Sequence, residues 1–206
     1  MILGIDHIAC SVPENEFENV KQNFLNAGYS VFLEETGLEN LLIKKDFMTD
    51  YKSVHDLILM KKNGCIPVEI LNHGSSSRKT GLFEVVADNS ITYKSMDKAG
   101  SLQFWEQFGF AGEPDCGKVK YRSFFSSLEI SFEESTEKRY SCLDDVNYNC
   151  VALMTTSVVE EYAKLKDLCK CSDIAELKVG GRNLKIFFAR NISGGEIVEI
   201  FEIARS

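Results

Sequence analysis

The sequence has no excess of positive charge, no long apolar run and no paired-cysteine spacing, and each absence argues against a class of protein. Its 23 lysines and arginines face 31 aspartates and glutamates, a formal net charge of −8. A phosphate backbone needs a basic face, so nucleic acid is not expected as a partner. No segment approaches the roughly 18 apolar residues of a membrane helix, so no membrane association is expected either. The N-terminus lacks the basic stretch and apolar core of a signal peptide. The seven cysteines stand at positions 10, 65, 116, 142, 150, 169 and 171 with no C-x-x-C pair among them. Zinc-finger and disulfide-scaffold readings lose their support, and reduced thiols in a cytoplasmic protein are the simpler account. The G-x-S-x-G, P-loop and dinucleotide-binding motifs are missing too, which removes the commonest signatures of hydrolases and nucleotide enzymes.

What is present is an ordinary globular composition. With 206 residues, 44% of them hydrophobic and 26% charged, the chain can build one large domain or two small ones. Phe17, Val20, Phe24 and Leu25 recur at helical spacing over 14–27, with Pro13 ahead of the helix and Gly28 as its stop. Strand-like runs follow at 29–34, 40–44, 56–61 and 66–71. Residues 74–81 include three consecutive serines and read as a linker. A strand over 82–87 then leads to a short helix over 100–108 and to strands at 118–126 and 128–133. A third helix spans 157–168, where Ser157 is the expected N-cap and Glu160 its capping-box partner. Strands at 175–179, 183–189 and 196–203 close the chain, with Gly180-Gly181 as a hairpin turn.

The two ends of the chain follow one plan. Ile5-Asp6-His7-Ile8-Ala9-Cys10 is a short apolar strand with one histidine, and its unit closes on Val68-Glu69-Ile70-Leu71. Tyr148-Asn149-Cys150-Val151-Ala152-Leu153 opens the last unit, which closes on Val198-Glu199-Ile200-Phe201. A middle segment adds Ser90-Ile91-Thr92-Tyr93-Lys94-Ser95 and a helix ending in Phe104-Trp105-Glu106-Gln107-Phe108-Gly109-Phe110. This order resembles the vicinal oxygen chelate superfamily of glyoxalases, epimerases, extradiol dioxygenases and bleomycin-resistance proteins. The resemblance implies an α+β fold of repeated βαβββ units that curl into half-open, glyoxalase-like barrels. It divides the chain into a first unit over 1–73, a linker over 74–81, a partly degenerate βαββ unit over 82–135 and a last unit over 146–206. Three units do not pair evenly, so one is a decoration or completes a barrel across a homodimer.

Each candidate side chain has a plain alternative. His7 on an apolar strand, sharing a face with Ile5 and Ala9 by strand alternation, is either a metal ligand or a core histidine bonded to a backbone carbonyl. Glu69 and Glu199 sit inside apolar runs, where a carboxylate needs a nearby cation or proton unless the strand lies at an edge and the side chain reaches water. The resemblance places the last unit's histidine slot on Cys150 and the middle unit's on Ser90, both departures from the pattern. Cys150 is a substitute ligand that favours zinc, or plain core. The middle unit, with Glu129 in Leu128-Glu129-Ile130, is not expected to form a metal half-site.

Two functions follow. In the first, His7, Glu69, Glu199 and Cys150 hold one divalent metal (zinc, manganese, nickel, magnesium or iron), which grips two neighbouring oxygens of a small metabolite. Glu199 then moves a proton, giving isomerase, epimerase or lyase chemistry. In the second, the missing histidines mean a metal-free protein that sequesters a small molecule in a pocket lined by aromatic residues, as bleomycin-resistance proteins do. The middle unit, with Phe104-Trp105 and Phe124-Phe125, looks most like that branch, although Phe104, Trp105 and Phe108 at helical spacing read as core rather than as a ligand cage.

Overall fold

The computed structural model describes residues 1–74, 80–87, 89–113, 116–123 and 126–204. The first unit runs β1 (Ile2–Ser11), α1 (Phe17–Asn26), β2 (Ser30–Glu39), β3 (Val54–Lys61) and β4 (Val68–Asn72). Helix α1 ends where Gly28 takes a φ of 87° and the Tyr29 N–H reaches back to the Phe24 carbonyl at 3.0 Å, a left-handed stop that glycine adopts without strain. The apolar side of α1, Phe17 with Val20 and Phe24, packs on Ile58, Met60, Val68 and Ile70 of β3 and β4.

The last unit repeats the arrangement with β10 (Asn147–Thr155), α3 (Val158–Leu165), β11 (Lys170–Cys171), β12 (Ala175–Val179), β13 (Arg182–Arg190) and β14 (Ile197–Ile203). Ser157 caps α3 as expected, its Oγ accepting from the Glu160 N–H at 3.3 Å. Glu202, which strand alternation leaves as mere surface, accepts from the Val158 N–H at 2.6 Å and so also serves the start of that helix.

Strand β1 is parallel to β4 and antiparallel to β10, and β10 is parallel to β14. The first and last units therefore lie side by side in one nine-stranded sheet, in the order β11-β13-β14-β10-β1-β4-β3-β2 with β12 also on β13. This settles the pairing. The cleft is formed within a single chain.

The middle segment makes its own five-stranded sheet from β5 (Phe83–Ala87), β6 (Ser90–Ser95), β7 (Ala111–Glu113), β8 (Lys118–Arg122) and β9 (Ser127–Glu134), with α2 (Lys98–Glu106) after β6. The pattern of two strands after the helix is corrected here, because β7 supplies the missing one and β9 is the true last strand, parallel to β6. Three residues, one of them Gly112, are too few to show alternation. The apolar side of this sheet and α2 shares a core with the large sheet, where Trp105, Phe104 and Phe108 join Val151, Phe187 and Val198. Those aromatics are core, as their helical spacing predicts, and Phe124 and Phe125 lie outside the described residues.

Two further expectations change. Residues 40–44 are not a strand; Leu42–Phe47 form a 3₁₀ turn. The Asn40 N–H donates to the Ser53 carbonyl, its side chain donates to the Lys52 carbonyl, and the Tyr51 hydroxyl donates to the Asn40 carbonyl. These bonds turn the chain and bury Phe47 against Phe188. Ile5 and His7 do not share a face either. Ile5 packs into the core beneath the sheet while His7 looks into the cleft, because the β1–β10 register slips by one residue between Ile5 and His7.

Candidate functional site

That slip is a β-bulge with Asp6 as its extra residue, and bulges re-aim side chains. It brings Asp6 and His7, neighbours that would otherwise point to opposite faces, into one cavity. Asp6 Oδ2 lies 2.9 Å from His7 Nδ1, which directs Nε2 inward. His7 Nε2 stands 3.3 Å from Glu69 Oε2, yet makes no well-directed hydrogen bond. Glu69 comes from β4 opposite Ala9, and Glu199 from β14 opposite Ala152. The two alanines leave room above the sheet, and His7, which pairs with Ala152, lies between the two acids. Ligand atoms of His7, Glu69 and Glu199 all come within 4.8 Å of one another.

The charges of the group depend on each other. Burial works against the imidazolium of His7, but Glu69, the Asp6 bond and Glu199 outweigh it and hold the ring well above the usual histidine range. Burial also opposes the Glu69 charge, and His7 overcomes it, so this carboxyl stays below its ordinary value. Glu199 behaves differently. Burial pushes it up to about 7, His7 pulling the other way and the Glu69 charge adding to the rise. Of the two acids, one is a firm carboxylate and the other exchanges its proton near neutrality.

Cys150 does not join the three. It occupies the same offset from Ala152 as His7 does from Ala9, and a second bulge, at Asn149, precedes it as Asp6 precedes His7. The pseudo-symmetry ends at the side chains. Asn149 turns away to donate to the Ser11 hydroxyl and to the Leu143 and Asp145 carbonyls. The Cys150 thiol, shorter than an imidazole, stays among buried apolar residues, and burial, with Glu199 and Glu69 adding, drives it well above the usual thiol range. A neutral thiol is a poor ligand. In the middle unit Ser90 pairs with Glu129, which Lys118 and Lys120 hold at 2.7 and 3.2 Å on an open polar face. No ligand set forms there among the described residues.

The group of three lies in a cavity of about 800 Å³ between the two halves of the large sheet. Leu57, Leu59, Leu33, Met154, Leu177 and Leu184 give it apolar walls, and Lys44, Lys61, Lys178 and Arg182 surround it. The β12–β13 hairpin closes one side, where Gly180 and Gly181, at φ 56° and 75°, make the tight turn. There the Gly180 N–H donates to Glu35 Oε1 on β2 at 2.9 Å. Sequence reading missed Asp6 and the four cations. The Asp-His dipeptide is visible in the sequence, but the bulge that makes Asp6 a partner of the histidine is not.

Replacing Asp6 with alanine is expected to weaken divalent metal binding about 10- to 100-fold, the usual cost of losing a group that orients a ligating histidine. A manganese titration of the variant against the parent, with circular dichroism to confirm the fold, reads this; equal affinities would leave Asp6 without that role.

No family model matches the sequence, and no curated protein matches it. Solved structures similar to the chain include methylmalonyl-CoA epimerase from Mycobacterium tuberculosis, at 12% identity and a TM-score of 0.49, with 100% of this chain and 91% of that one covered. Glyoxalase I from Zea mays aligns at 15% identity and a TM-score of 0.38 over 97% of this chain and 67% of that one. A putative dioxygenase from Bacillus subtilis aligns at 11% identity and 0.40 over 100% and 64%. The chain thus spans about two thirds of the length of the latter two.

Proposed function

We propose that this chain, a divergent protein with the vicinal oxygen chelate fold, is a metal-assisted isomerase, epimerase or lyase for a small oxygen-bearing metabolite. The observation that carries the reading is the convergence of His7, Glu69 and Glu199 in a cavity with leucine-rich walls. The residues fit a divalent ion: a histidine nitrogen aimed inward without a well-directed bond, an acid fixing its tautomer, and two carboxylates. Bound there, zinc, manganese, nickel, magnesium or iron would supply Lewis-acid polarisation of a carbonyl and anchor a neighbouring oxygen.

The protein's own part is proton movement and shielding. Glu199, which burial raises to about 7 in the absence of an ion, is the candidate general base for a C–H beside a carbonyl. Glu69 stays charged beside His7 and serves as a fixed ligand. Leucine walls keep water from the reacting carbon. Returning the proton to the same or another carbon gives isomerisation or epimerisation; expelling a group from the neighbouring carbon gives a lyase. Seven unbonded thiols suit a reducing compartment such as the cytoplasm. No described helix is long and apolar enough to cross a membrane.

One observation favours the second reading, a metal-free binding protein. His7 already lies between Asp6 and Glu69, so the charges of the floor are partly balanced without an ion. Calorimetric titration of chelator-treated protein with zinc and manganese separates the two. The enzyme reading expects binding far tighter than about millimolar, roughly −4 kcal/mol. Binding no tighter than that leaves the sequestration reading.

A further inference from the structure

The cavity lining carries charges of both signs. Asp6 and the two glutamates Glu69 and Glu199 gather around His7, while Lys44 and Lys61, half-buried, and Lys178 and Arg182, exposed, also line the cavity. These four come from the Leu42–Phe47 turn, β3, β12 and β13, and so from both halves of the sheet. None is in an ion pair with a described residue. Two of them have contacts of another kind. Lys61 sits 3.5 Å above the Phe32 ring, which fixes its position at the rim, and Lys44 lies 5.7 Å from the Phe188 ring. In a chain of net charge −8, four cations gathered around one apolar-walled cavity repel one another unless something negative joins them.

Five acids share the lining: Asp6 is engaged with His7, Glu176 faces Lys185 at 3.7 Å, Glu69 and Glu199 cluster with His7 within reach of Lys44, and Glu39 is the fifth. Lys61, Lys178 and Arg182 have no described carboxylate within ion-pair distance. Lys61 on β3 and Arg182 on β13 both line the cavity that holds Asp6 and His7. They approach from opposite halves of the sheet.

The geometry points to a substrate with an apolar middle and an anionic end, a carboxylate or a phosphate, that Lys61 and Arg182 hold between them with Lys178 at the lip. The inference rests on the reading of this cavity as the substrate site and names the class of substrate it takes. Leu57, Leu59, Leu177 and Leu184 between floor and rim accept the apolar middle. Arginine and lysine from opposite walls suit a group with several oxygens.

The test uses octanoate, octyl phosphate and octanol as probes, titrated by calorimetry into the protein with and without manganese. The chelator-treated arm matters most, because there an ion cannot hold the anionic head. At least one of the two anions is expected to bind about tenfold or more tighter than octanol, the worth of a charge-assisted contact. The one favoured identifies the acid: octyl phosphate means a phosphate ester, octanoate a carboxylic acid. The double variant Lys61→Gln/Arg182→Gln is expected to lose the preference, and the outer-sheet control Lys94→Gln/Lys120→Gln to keep it. Octanol binding as tightly as both anions, or a preference that survives in the double variant, overturns the inference. Failure of the metal reading shows separately, as absent manganese binding in the parent protein.

Discussion

His7→Ala is expected to lower the affinity for manganese or zinc more than a hundredfold, while Cys150→Ser changes it by less than about threefold. A hundredfold loss corresponds to roughly 2.7 kcal/mol of binding free energy. The size follows from what each side chain does. His7 gives the group its only nitrogen and sits between both acids, so removing it leaves two carboxylates, Glu69 and Glu199, without the neighbour that lowers them both. Even groups that only orient a ligand cost about 10- to 100-fold when lost, and a ligand itself should cost more. Cys150 is buried among apolar residues with its proton firmly held, so a serine there removes no donor from the site. Calorimetric titration of both variants, with fold checked by circular dichroism, reads the difference. A large loss in Cys150→Ser with little in His7→Ala would place the ion elsewhere and sink the assignment.

The repeat of strand, helix and strands was legible because each unit buries one face, and burial writes itself into hydrophobic alternation: Glu69 between Val68 and Ile70, Glu199 between Val198 and Ile200. Local chemistry was legible as well, as at Ser157 and Gly28, where a cap or a positive φ demands a residue type. The bulge at Asp6 was not. It adds one residue to one strand, and only the register against β10 reveals it. That single slip decides which face Ile5 takes and makes Asp6 a partner of His7. Nor could periodicity report that Lys44, Lys61, Lys178 and Arg182, spread over 139 positions from first to last, meet around one cavity. Their meeting is a product of strand pairing, which composition does not encode.

The same limit hid Glu196, the residue just before the last strand, which has no part in the cleft. It is fully buried where the middle unit packs on the last one, its Oε2 accepting from Asn191 Nδ2 at 2.7 Å and its Oε1 without a partner. Asn191 also reaches the Gly100 carbonyl, and the Gly194 carbonyl accepts from the Met96 N–H, so the junction is tightly bonded around this carboxyl. Burial pushes the Glu196 carboxyl up to about 7, against smaller lowering effects from Ser101 and Asn191. In the unfolded chain its value is about 4.5. Between those two values the folded state holds more protons than the unfolded one, so stability falls as pH rises through the window and levels off above it. A gap of this size is worth about 3 kcal/mol at its limit. Glu196→Gln keeps an oxygen for Asn191 and removes the charge, so the variant should lose this slope. Urea unfolding of metal-free protein at pH 5 and pH 8 is the measurement. Relative to the parent, the glutamine variant is expected to gain up to about 3 kcal/mol on going from pH 5 to pH 8. Titration of Glu199 is common to both proteins and cancels in the difference. If the two proteins keep the same stability difference at both pH values, Glu196 titrates normally and its burial imposes no such cost.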